Sequence, residues 1–333
     1  MEALLTVNSL GLYCERGGFY IDPWGPVPQA LITHAHGDHA RPGSASYRCA
    51  EVGVALLRRR LGGEANILGV AYGVPLKLGS VTVSFHPAGH ILGSAQIRLE
   101  AEGEVWVASG DYKRADDPTC APFELVPCDV FVTEATFGLP VYRWDDPTIV
   151  ARDMFDWWEA NGRAKRASLL FCYALGKAQR ILAELARLTD RVVFVHGAIE
   201  PLVECYRQAG VNMLPTQLVS EAAKGRSWAG ELILAPPSAH GSPWTRRFGA
   251  YETAFASGWM RIRGTRRRRG VDRGFVLSDH GDWPALLRTI RETGARRVLT
   301  THGYADTLAR YLGEEGLGAA VLHTAYAGET GAE

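Results

Sequence analysis

Six consecutive residues, His34-Ala35-His36-Gly37-Asp38-His39, follow directly on the apolar run Ala30 to Thr33. Three imidazoles and a carboxylate packed this closely supply ligands for first-row divalent metal ions, and Gly37 leaves the backbone room to curl so that side chains face two directions. A chain carrying such a segment needs a rigid base that presents it at a strand end. The other reading, a solvent-exposed polar turn, leaves the density of ligand-type residues and their place after a predicted strand unexplained.

The rest of the chain supplies that base. Val81 to Phe85, Ala95 to Leu99, Val105 to Ala108 and Val130 to Thr133 are short runs rich in Val, Ile and Phe, and together with Ala30 to Thr33 they predict strands. From about residue 147 the texture changes: 148 to 160 predicts a helix, and Ala178, Ile181, Leu182, Leu185 and Leu188 recur at helical spacing before a predicted strand at Val192 to Val195. Further strands are expected at Glu231 to Ala235, Phe275 to Ser278, Val298 to Thr301 and near 319 to 323, with helices over 283 to 293 and 305 to 315. The pattern is α/β, in two lobes. Asp22, His34, Asp111, Glu134, His280 and His302 each come just after an apolar run. Loops at strand ends are held by a rigid base yet free to present side chains, so these placements predict one site.

Composition narrows the function. The 333 residues include 36 Lys+Arg and 36 Asp+Glu, which excludes a bulk polycation, so any nucleic-acid surface must be local. Six cysteines without a CxxC pair suit a reducing compartment and argue against a disulfide frame or a thiolate zinc site, leaving metal chemistry to His and carboxylate. The N-terminus shows no basic segment followed by an apolar one, and no run of about 18 apolar residues occurs, so a soluble, cytoplasmic chain without membrane contact is expected.

The segment HAHGDH resembles the HxHxDH signature of the metallo-β-lactamase superfamily, which implies an αββα sandwich. Other positions extend the resemblance. His90 in PAGHILGSA is similar to the third-motif histidine, Asp111 in SGDY to the carboxylate that bridges two metals, Asp22 in YIDPW to the aspartate that supports the ligands, and His302 in THGY to the late histidine. The resemblance implies two divalent ions, Zn or Mn, one on His34, His36, His90 and Asp111, the other on Asp38, His39, Asp111 and His302. With Asp38 among the catalytic groups, such a pair activates water and stabilises both oxygens of an in-line displacement at phosphorus.

Glu134 in TEATFG is similar to the acidic motif A of the β-CASP branch, and His280 in LSDHGDW to its motif B histidine, with His302 at motif C. This implies a β-CASP α/β domain over 146–270 inserted into a metallo-β-lactamase domain formed by 1–145 and 271–333. His280 would then be the general acid for the leaving oxygen, with Glu134 holding its imidazole in the useful tautomer. Asp279 reads as a loop residue and Asp282, before Trp283-Pro284, as a helix cap.

Leu175-Gly176-Lys177-Ala178-Gln179-Arg180 resembles the branch's GRxQ segment and opens a predicted helix, so Lys177 and Arg180 are expected at a phosphate rather than in a merely solvated turn. Seven arginines fall between Arg261 and Arg273, and Arg266, Arg267, Arg268 and Arg269 are expected to contact a nucleic-acid backbone rather than form a plain solvated face. Longer stretches, among them GLYCERGGFYIDPWGPV, HPAGHILGSAQIR and YALGKAQRILA, resemble the bacterial DNA-ligase-associated exonuclease family. That implies a DNA-repair exonuclease in functional association with an ATP-dependent DNA ligase and a helicase. The alternatives are a β-CASP ribonuclease in RNA processing and a catalytically silent nucleic-acid-binding subunit; a small-molecule hydrolase leaves the arginine run unexplained.

Overall fold

The computed structural model describes residues 3–325, the side chain of Arg266 excepted, and the chain falls into two units: one up to Arg143 and from His280 onward, the other Trp144–Asp279. The first unit holds two sheets. One has the order β1 (Thr6–Asn8), β2 (Gly11–Cys14), β3 (Phe19–Ile21), β4 (Ala30–Leu31), β5 (Tyr47–Ala50), β6 (Ile67–Val70). The other runs β19 (Gly318–Val321), β18 (Arg297–Thr301), β11 (Val130–Glu134), β10 (Glu104–Ala108), β9 (Ala95–Ala101), β8 (Val81–Pro87), β7 (Leu76–Leu78).

Alternation along the strands explains the layering. Val81, Val83 and Phe85 of β8 enter a core that also holds Ile97, Leu99 and Trp106 from the same sheet and Leu12, Phe19, Ile21 and Leu31 from the other. Each such side chain contributes about 1.5–3 kcal/mol by leaving water. On the opposite face of the second sheet, Val107, Phe131 and Val298 pack with Trp283, Leu286 and Ile290 of α6 (Trp283–Glu292) and Leu308 and Leu312 of α7 (Ala305–Glu314). The outer face of the first sheet, through Ala30, Tyr47 and Cys49, packs with Leu57 of α1 (Val54–Leu61). Helix, sheet, sheet, helix is the resulting order, an α/β fold as expected.

The second unit is built on a parallel sheet in the order β14 (Thr216–Leu218), β13 (Val193–Val195), β15 (Leu232–Ala235), β12 (Ala167–Phe171), β16 (Tyr251–Ala256), β17 (Arg273–Phe275). Its helices are α2 (Pro147–Arg163), α3 (Lys177–Leu185), α4 (Glu200–Gln208) and α5 (Arg263–Arg269). Every residue of β12 is buried, as a central strand covered on both faces requires. Helix α2 starts at Asp146, whose side chain accepts from the Thr148 N–H with Pro147 in the first turn, a cap that contributes about 1 kcal/mol.

Several boundaries differ from the sequence reading. The inserted unit ends at Asp279 rather than 270, because β17 pairs with β16 and keeps residues 273–275 in the second sheet. The strand expected at Phe275 to Ser278 stops at Phe275, and Ser278 is held instead by an arginine side chain. Strand β4 stops at Leu31, short of Thr33, whose N–H is taken by the Asp22 carboxylate. The arginine run folds into α5, and α1 was not foreseen. Asp282 caps α6 as expected, accepting from the Ala285 N–H. Among the described residues no helix is long and apolar enough to cross a membrane.

Candidate metal centre

Strand ends of the first unit deliver the site. The turn after β4 carries His34, His36, Asp38 and His39; His90 lies between β8 and β9; Asp111 follows β10; Glu134 ends β11; His280 stands ahead of α6; and His302 follows β18. All are buried except Asp38, which is partly exposed. Among the described residues, three groups of ligand-type side chains gather: His34, His36, His90 and Asp111; Asp38, His39 and His302; Asp111, Glu134 and His280.

The donors meet in a way suited to cations. His36 Nδ1 lies 3.0 Å from His34 Nε2 and 3.1 Å from His90 Nε2. Asp111 Oδ2 stands 3.5 Å from His34 Nε2, 3.6 Å from His39 Nε2 and 3.8 Å from His90 Nε2. These separations are long for hydrogen bonds. They are close to the roughly 3.4 Å between two ligands each about 2.1 Å from one tetrahedral ion. Asp111 Oδ1 is buried with no hydrogen-bond partner among the described residues. His39 Nε2 also lies 3.8 Å from Asp38 Oδ2, and the His39 and His302 rings stack at 5.1 Å. Nitrogen and carboxylate donors in this arrangement fit divalent metal ions, and Asp111 belongs to two of the three groups and also lies 3.6 Å from His39 Nε2.

Electrostatics point the same way. Burial, aided by His39, His36 and His90, holds the His34 imidazole well below its usual value, so it stays neutral and able to ligate. Burial likewise lowers His302 far below the usual range, with His39 adding to it. His39 behaves oppositely: burial disfavours its charge, but Asp111, Asp38 and Asp22 outweigh that and raise it to about 10. Burial raises Asp111 to about 7 despite His39, whereas Asp38, although partly desolvated, is lowered to about 2 by His39, His36 and His302. The pocket thus favours positive charge where Asp38 and His39 stand.

Backbone strain marks the same place. Asp22 (φ 44°) and His302 (φ 63°) occupy left-handed conformations that cost non-glycine residues about 1–3 kcal/mol each and persist where surrounding structure fixes them. Asp22 accepts from the Thr33 N–H (2.8 Å), the Thr33 hydroxyl (2.6 Å) and His39 Nδ1 (2.7 Å).

His280 and Glu134 also come together. His280 Nδ1 lies 2.8 Å from Glu134 Oε2, and Glu134 Oε1 accepts from the Tyr112 N–H at 2.7 Å. The contact with Glu134 is made at Nδ1, and the ring lies 4.6 Å from that of His90.

The proposed nucleic-acid contacts fare differently. Lys177 and Arg180, expected at a phosphate, are buried: Lys177 Nζ lies 2.8 Å from Asp279 Oδ2, and Arg180 donates to the Ser278 carbonyl and stands 3.4 Å from Asp279 Oδ1. The Gly176 N–H is taken by Gln179 Oε1 at 2.7 Å. Groups of its own unit meet the helix start, and Asp279 lies in a loop as expected, its carboxylate facing both cations. Arg267 and Arg268 are exposed on α5, while Arg269 is half-buried over the Phe255 ring; the Arg266 side chain lies outside the described set.

Thr33 and Tyr112 were missed as contributors by the sequence reading, as were the partners of Asp279. Thr33 carried a usable signal, a hydroxyl at the strand end beside His34. The Tyr112 contact is made by its backbone, and Asp279 acts through the distant α3, so neither leaves a local trace.

No family model matches the chain. It is 31% identical over 311 residues to a protein of Opitutus terrae named "Probable DNA ligase", a match covering 93% of this chain and 30% of that protein. It is 32% identical over 108 residues to "Endoribonuclease ysh1" of Aspergillus fumigatus, covering 31% of this chain and 12% of that one. An "RNase J-like protein" of Methanocaldococcus jannaschii is 26% identical over 128 residues, 36% of this chain and 30% of the relative. The chain therefore spans at most 30% of these three curated relatives. A crystal structure of a protein of unknown function from Enterococcus faecalis V583 shares the fold, with a TM-score of 0.57 at 12% identity over 90% of this chain and 78% of that one.

Proposed function

The chain belongs to the metallo-β-lactamase/β-CASP family, and from that premise we propose that it is a metal-dependent phosphodiesterase that removes nucleotides from DNA ends during repair. The observation that carries the reading is the meeting of the ligand groups around Asp111, beside the hydrogen-bonded pair His280 and Glu134. His34, His36, His90 and Asp111 would hold one ion, and Asp38, His39 and His302 with Asp111 the other. Bound there, divalent Zn or Mn supplies Lewis acidity toward a phosphoryl oxygen and a lowered pKa for water.

The chain's own residues do the rest. Asp22 keeps His39 turned toward the donors through the 2.7 Å contact to Nδ1. Glu134, itself fixed by the Tyr112 N–H, holds His280 so that Nε2 delivers a proton to the leaving oxygen. The exposed guanidiniums of α5 suit a phosphate backbone, contacts that position a strand without reading its sequence.

DNA is favoured by the extent of similarity. The match to the protein named as a probable DNA ligase covers 93% of this chain, the endoribonuclease match 31%. Functional association with an ATP-dependent DNA ligase and a helicase, in the cytoplasm, follows from the same reading. A ribonuclease role in RNA processing is the second reading, supported by the names of the shorter matches. Matched DNA and RNA strands, labelled at either end and incubated with Mn or Zn in separate reactions, separate the two. Stepwise shortening of DNA is expected, and a strong preference for RNA overturns the first reading.

A further inference from the structure

Behind the ligands, the hydrogen bonds converge on Thr33. Its hydroxyl has one proton, given to Asp22 Oδ2 at 2.6 Å. Toward His34 Nδ1, 3.1 Å away, the same oxygen can then only accept, which requires the proton of neutral His34 to sit on Nδ1. Nε2 is left bare, and Nε2 is the atom that faces His36 and Asp111. The same Asp22 oxygen takes His39 Nδ1 at 2.7 Å, so that His39 too presents Nε2 to Asp111. One hydroxyl and one carboxylate therefore stand behind a histidine from each ligand group.

An independent observation concerns space. Gly110, the residue before Asp111, has φ 55°, and a Cβ there would fall 2.6 Å from Thr33 Cβ and 2.8 Å from Thr33 Oγ1. The Thr33 side chain is seated against the backbone that carries the shared carboxylate. The strained φ of Asp22 is consistent with its oxygens being committed to Thr33 and His39.

We propose that Thr33 is a positioning residue for the metal centre, fixing the His34 tautomer and, through Asp22, tying the two ligand groups into one unit so that uptake of one ion is coupled to uptake of the other. The proposal rests on the two-ion reading above. Hydrogen-bonded groups behind metal-ligating histidines commonly change affinity by about 10- to 100-fold when removed.

The test is cobalt titration of the full chain, stripped of metal by chelation, read by visible absorption and independent of any hydrolytic activity. Wild type and Thr33→Ser, which keeps the hydroxyl, are expected to take up two Co(II) ions with matching affinity. Thr33→Val, which keeps the shape and removes the hydroxyl, is expected to weaken both steps by about 10- to 100-fold. The proposal is overturned if Thr33→Val matches wild type, if it loses affinity at one step only, or if Thr33→Ser is as impaired as Thr33→Val. The serine variant keeps the proposal open to failure even if the valine variant does not fold. A wild-type chain that takes up no Co(II) sinks the metal-centre reading itself, a result distinct from the others.

Discussion

In the first unit, Asp38, Asp111 and Glu134 stand among imidazoles; in the second, Lys177 and Arg180 stand against Asp279. Both clusters gather ionisable groups away from water, which is costly unless their charges are answered. In the second unit the answer is internal: an ammonium and a carboxylate meet at 2.8 Å, and the guanidinium adds a backbone carbonyl. In the first unit burial raises Asp111 to about 7 and carboxylates raise His39 to about 10, a cluster whose groups disturb one another. A bound cation would relieve that conflict. The two clusters differ in Asp111, which stays raised despite His39, whereas the Asp279 carboxylate meets two cations.

Apart from the proposed metal ligands, the largest effect is expected at His280. His280→Ala should slow hydrolysis of DNA by about 10²- to 10⁴-fold, while bis(p-nitrophenyl) phosphate, whose leaving group needs no proton, keeps most of its rate. Equal losses on the two substrates would make His280 a ligand and erase its separate role.

Next comes the contrast between two carboxylates. Asp279→Ala leaves Lys177 buried without its partner and should cost about 3–5 kcal/mol in urea unfolding. Asp111→Asn in metal-free protein should cost nothing or stabilise, since burial disfavours the charged form there. Comparable losses in both variants would break the comparison.

Smaller changes are expected on the surface of the second unit. Replacing exposed Arg267 and Arg268 by Ala should weaken DNA binding alike across sequences and flatten its salt dependence by about 0.7 per phosphate contact on single strands, as binding assays at several salt concentrations would read. An unchanged slope would remove α5 from the interface.

The smallest effect belongs to Asp272, whose Oδ2 accepts from the Thr253 N–H and hydroxyl at 2.9 and 2.7 Å, which holds the carboxyl below its usual range. A lowered acid contributes stability above its ordinary value of 3.8 and loses it as pH falls through the lower folded value. Asp272→Asn should therefore lower stability slightly at neutral pH and flatten the acid limb of the unfolding curve. An unaltered limb would contradict it.

The candidate metal centre was legible because its proposed ligands are local: His34 to His39 are contiguous, and Asp111 and His302 each follow a recognisable apolar run. The layered α/β core was legible for the same reason, through alternation in runs such as Val81 to Phe85. The Lys177 pairing was not legible because a glycine before a helix with a cation describes a phosphate cradle locally, and only tertiary structure supplies Asp279. Arg180 and Asp279 meet across a separation of 99 residues, which no spacing rule reaches. Thr33 hid in plain view, since a threonine closing an apolar run also reads as ordinary strand.

Asp111 is the carboxylate proposed to be shared by two ions. The direct measurement is hydrolysis of end-labelled single-stranded DNA by metal-free wild type and Asp111→Asn as Mn is added back. Wild type should be silent without metal and recover fully at two ions per chain, with Asp111→Asn slower by at least about a thousandfold at every concentration. Undiminished hydrolysis by metal-free wild type or by Asp111→Asn would contradict the account.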